Sequence, residues 1–82
     1  MDMSTIIAEA ALTIQEMGAY VRSLAKHPCE TGPKLALSYL EDVALYSADV
    51  AVALKDDDLS AAQSALEGLQ SRVKVASILA RF

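Results

Sequence analysis

The chain has no tryptophan, one phenylalanine, one cysteine, two prolines and three glycines. Each scarcity excludes something. A single cysteine, Cys29, cannot close an intrachain disulfide. With one histidine, His27, the chain also falls short of the three or four nitrogen and sulfur ligands that a zinc site requires. Only two copies meeting at their loops would bring four such ligands together.

Positive charge is scarce and dispersed. Arg22, Lys26, Lys34, Lys55, Arg72, Lys74 and Arg81 stand against eleven acids, for a formal net charge of −4. That balance opposes binding to nucleic acid or to an anionic membrane, both of which need a basic footprint. Asp2 and Glu9 stand where a secretory leader would carry basic residues and then an apolar run. The longest apolar stretch, Val43 to Leu54, is broken by Asp49 and falls short of the roughly 18 residues needed to cross a bilayer. A reducing cytoplasm is the expected compartment.

What the chain does have is aliphatic residues and alanine. Of its 82 residues, 54% are apolar and fifteen are alanine, the best helix former. Ile7, Ala10, Ile14, Met17, Val21 and Leu24 recur at steps of three and four and predict a helix over 4–26. Ser4 is its expected N-cap. Glu9, Thr13, Glu16, Tyr20 and Ser23 are expected on the opposite side. The stretch from His27 to Pro33 contains both prolines and breaks the pattern, with Thr31 or Gly32 as the next cap. A second helix is predicted over 33–55, with a stripe of Ala36, Tyr39, Val43, Tyr46, Val50 and Ala53 widened by Leu40 and Leu54. Asp56-Asp57-Asp58 ends it, and Asp58 is placed to cap a third helix over 58–81. Ser60 with Gln63 offers a capping-box alternative. Leu59, Ala62, Leu66, Leu69, Val73, Ala76 and Ala80 form the third stripe.

Nearly equal helices joined by short links imply one all-α domain over 1–82, a three-helix antiparallel bundle running up-down-up. A hairpin with a first helix that pairs between chains is the rival arrangement.

Candidate chemistry does not assemble. From Asp56, the residues Asp56, Asp58, Ser60, Ser64 and Glu67 match much of a calcium-loop spacing. Ala61 stands where that loop needs glycine, and the third apolar stripe runs through the same residues. A Cys29 nucleophile with His27 as base lacks a third group or an oxyanion donor. Glu41 and Asp42, as neighbours on a helix, diverge by about 100°. No enzyme and no cofactor are expected.

The informative excess is apolar. Leu37, Leu45 and Val52 fall on the side of helix two away from its own stripe. Val75, Ile78 and Phe82 make a second ridge on helix three. Either helix two is the most buried element, or these residues form an interface. The second reading is the stronger and implies a homodimer or another protein partner, with Tyr39 and Tyr46 contributing amphipathic rings. It predicts a non-enzymatic interaction module: an adaptor, inhibitor or chaperone-like subunit. A small helical transcriptional regulator is the alternative, disfavoured by the acidic charge. Of the mid-helix glycines, Gly18 lies at the edge of the first stripe and is expected to allow close helix approach, while Gly68 carries no preference.

Overall fold

A computed structural model describes residues 1–81, and in them the chain forms three helices and no strands. They are α1 (Met3–Ala25), α2 (Thr31–Lys55) and α3 (Leu59–Leu79). Every helix packs against both others, giving a rod of 44 × 16 × 14 Å.

The helix ends follow from local hydrogen bonding. α1 starts earlier than Ser4: the Asp2 carboxylate caps it by accepting from the Thr5 backbone N–H at 2.8 Å. That bond holds the Asp2 carboxyl below its ordinary pKa. α2 begins after Glu30 with no side-chain cap. Pro33 falls in its first turn, where a missing N–H costs nothing. Asp58 caps α3 as expected, accepting from Ala61 N–H at 3.0 Å.

Between α2 and α3 the chain closes in a Schellman motif. Asp58 N–H donates to Ala53 C=O at 2.9 Å and Asp57 N–H to Leu54 C=O at 3.2 Å. Asp57 takes the left-handed position with φ 55°, a place more often held by glycine.

The core divides into two clusters along the rod. One joins Ile6 and Ala10 of α1, Val50, Ala53 and Leu54 of α2, and Ala62 and Leu66 of α3. The other joins Met17, Val21 and Leu24 to Ala36 and Tyr39 and to Val73 and Ala76. Fully buried Leu69 adds to this core.

The α3 stripe is buried from Ala62 to Ala76, with Leu59 38% exposed at its start. Of the expected α1 stripe, Ala10, Met17, Val21 and Leu24 are buried, but two positions shift by one residue. Ile6 and Thr13 are buried, Ile7 is 51% exposed and Ile14 is half-buried. Thr13 can turn inward because its hydroxyl donates to Glu9 C=O at 2.7 Å, so no polar group is left unpaired. Tyr20 also turns in, packing at the edge of the second cluster. On α2, Leu40 does not widen the core stripe but stands 52% exposed.

The expectation for Gly18 fails. A Cβ at Gly18 would meet nothing within 4 Å, so no close approach occurs there. At Gly68 a Cβ would lie 2.6 Å from Tyr46 Cε1: the ring of α2 occupies the space a side chain on α3 would fill. Gly32 is the second tight position, where a Cβ would lie 2.6 Å from Leu24 C=O and 2.7 Å from His27 Cβ. It lets the start of α2 lie against the end of α1.

A candidate interaction surface on α2

On α2, the inward residues Ala36, Tyr39, Val50, Ala53 and Leu54 are buried, with Val43 and Tyr46 half-buried beside them. The opposite face holds Leu37 at 60% exposure, Leu45 at 61% and Val52 at 57%. Between them lie exposed Ala44, Ala48 and Ala51. A helix offers one broad stripe to a three-helix core, and these residues lie about half a turn away from it. Leu40 extends the same face toward α1.

There the surface passes into a groove of about 260 Å³ between α1 and α2, lined by Ile7, Ala11, Ile14, Ser47 and Ala51. Its walls are almost wholly apolar. Ser47 Oγ is buried there without a hydrogen-bond partner.

The other expected interface residues are spread. Val75 (45% exposed) and Ile78 (54%) stand outward near the end of α3, as a ridge separate from the α2 face. Phe82 lies outside the described residues. Tyr39 packs inside the second cluster, 6% exposed, so its ring belongs to the monomer core. Tyr46 is half-buried against Gly68. The exposed Leu40 and Ile7 were missed because each sits in a stripe that reads as core. Only the packing of the first turns of α1 and of α2 turned them out.

The polar candidates are drawn into local structure. His27 Nδ1 accepts from the Cys29 backbone N–H at 3.1 Å. Cys29 Sγ instead lies 3.1 Å from Thr31 Oγ1, where either atom can donate. The Thr31 side chain, then its backbone N–H, holds this exposed thiol below the ordinary cysteine pKa. Asp58, which the calcium spacing needs, is taken up by its cap, and α3 runs through Ser60, Ser64 and Glu67. Asp42 pairs with Arg72 of α3 at 3.2 Å. A wider groove of about 640 Å³ between α1 and α3 carries Glu9, Glu16 and Glu67 with Lys74. Among the described residues, no three His, Cys, Asp or Glu side chains gather to hold a metal ion, and no helix is long and apolar enough to cross a membrane.

No protein-family model, no curated protein and no solved structure matches this chain.

Proposed function

We propose that the chain is a non-enzymatic protein–protein interaction module that self-associates and docks partners through apolar helix faces, as an adaptor, inhibitor or chaperone-like subunit of the cytoplasm. The observation that carries this reading is the outward face of α2, where Leu37, Leu45 and Val52 stay in water after both core clusters have closed. Singly exposed leucines are ordinary, but a contiguous face with alanine between them is what partner surfaces present.

The chain exposes 5251 Å². A monomer of its mass is expected to expose about 4,700 Å². The excess fits a subunit that hides area elsewhere. An up-down-up order is part of the proposal. It is supported by clusters that join the start of α1 to the end of α2 and the start of α3, and the converse at the other end.

Magnitudes set the expected strength. A fully buried Leu or Val side chain contributes about 1.5–3 kcal/mol. The three α2 residues are about 60% exposed, so six of them in a dimer contribute about 5–10 kcal/mol. Association costs about 4–15 kcal/mol. The two are of one order, so the expected dimer is reversible and depends on concentration. Sedimentation across a concentration series tests this directly. The parent should pass from monomer to dimer, and Leu45→Asp should hold it as folded monomer. A parent that stays monomeric throughout ends the reading.

A further inference from the structure

The outward face of α2 carries charges as well as leucines, and their order is informative. Leu37, Glu41, Ala44, Ala48, Ala51 and Lys55 are separated by alternating steps of four and three, and all are exposed. That spacing puts them on one seam along the helix, as in helices that pair side by side. Leu40, Leu45 and Val52 flank the seam and are more than half exposed. The centre is alanine, which lets two helix axes approach to the short end of the usual 8–10 Å.

Glu41 and Lys55 stand seven residues to either side of Ala48. Neither makes an ion pair among the described residues, where Arg72 with Asp42 is the one such bridge. Their signs are opposite, so the seam is complementary to its own reverse. Turned end over end about Ala48, a second copy of α2 brings its Lys55 to Glu41 and its Glu41 to Lys55. A parallel copy in register would instead set Glu41 on Glu41 and Lys55 on Lys55, which repels.

We infer that the occupant of this face is a second copy of the chain, paired antiparallel through α2 about a two-fold axis near Ala48, with Glu41 and Lys55 as the two reciprocal charge contacts. The contact is isologous, so it closes at two subunits. The pairing rests on the self-association reading above and adds to it the partner, the helix and the register.

The test uses charge reversal on the full chain. Glu41→Lys alone sets lysine against lysine at both contacts, and Lys55→Glu alone sets acid against acid. Each single variant should dimerise about tenfold more weakly than the parent, with less change at high salt. An equimolar mixture of the two restores opposite charges at both contacts, so it should form a mixed dimer about as tight as the parent. Misfolding of either variant cannot produce that recovery, and circular dichroism verifies the helices in each.

Cysteine pairing supplies a second readout in a Cys29→Ser background. A Glu41→Cys chain mixed with a Lys55→Cys chain should form the mixed disulfide in preference to either symmetric one. In the antiparallel register two Glu41 positions stand about 21 Å apart along the helix axis. A symmetric Glu41→Cys disulfide in preference to the mixed one, or a mixture no tighter than the single variants, overturns the register. In both cases a parent that still dimerises leaves self-association standing. A parent that is monomeric at every concentration removes both.

Discussion

α2 and α3 each give one side to the same core, yet their outer sides differ in kind. Outward from α3 stand Ser60, Ser64, Glu67, Ser71 and Lys74, exposed polar groups that water satisfies, with Val75 and Ile78 only near the end. Outward from α2 stand Leu37, Leu40, Leu45 and Val52 around three alanines, with Glu41 and Lys55 among them. α3 is thus an ordinary surface helix over most of its length, whereas α2 is apolar all round but for a thin strip of Ser38, Asp42 and Asp49 and the two charges on its outer face. A helix of the second kind is stable in water only where something covers it. The contrast teaches that burial within one chain accounts for α3 and leaves half of α2 unexplained.

The largest expected effect breaks this comparison if it fails. Val52→Asp on α2 should weaken dimerisation about a hundredfold, the scale of a central interface residue. Ser64→Asp and Ser71→Asp on α3 should leave it within about a factor of two, since they place charge on a face already wet. Analytical ultracentrifugation reads all three, and equal loss from α3 would abolish the distinction.

A smaller effect concerns where the two helices meet. Gly18→Ala should stabilise the fold by about 1 kcal/mol, because alanine is the better helix former and nothing obstructs it. Gly68→Ala carries the same propensity gain but must displace the Tyr46 ring. It should destabilise by about 1 kcal/mol, the overpacking cost exceeding the gain. Urea unfolding of both variants against the parent measures the difference, and equal stabilisation would show that Tyr46 moves aside freely.

The smallest effect sharpens the α2–α3 contact. Asp42 and Arg72 are only partly shielded, and exposed pairs contribute about 0.2–1 kcal/mol. Arg72→Ala should cost no more than that, and the cost should shrink as salt is added. A double-mutant cycle with Asp42→Ala isolates the pair.

Much of this fold was legible beforehand. The proline-bearing and acidic breaks bound three helices to within a few residues, and the α3 stripe of Ala62, Leu66, Leu69, Val73 and Ala76 was read correctly. α1 was legible at Ala10, Met17, Val21 and Leu24 but not at Ile6 and Thr13. Ile6 and Ile7 are adjacent and equally apolar, so spacing alone does not choose between them. Thr13 tips the choice only once its hydroxyl has the Glu9 carbonyl to bond, a contact that the helix itself creates. The excess on Leu37, Leu45 and Val52 was legible because α2 has more apolar residues than one face can hold. The part that Leu40 and Ile7 take in that surface was not.

By itself, then, the order of residues determined the helices, their breaks and the existence of an unspent apolar face, because these follow from local hydrogen bonding and from periodicity along one axis. Only the tertiary structure decided that Tyr39 is core and that Gly68 and not Gly18 makes room for a neighbour. Those outcomes depend on which side chains from other helices fill a given volume. Distance along the chain carries no record of that.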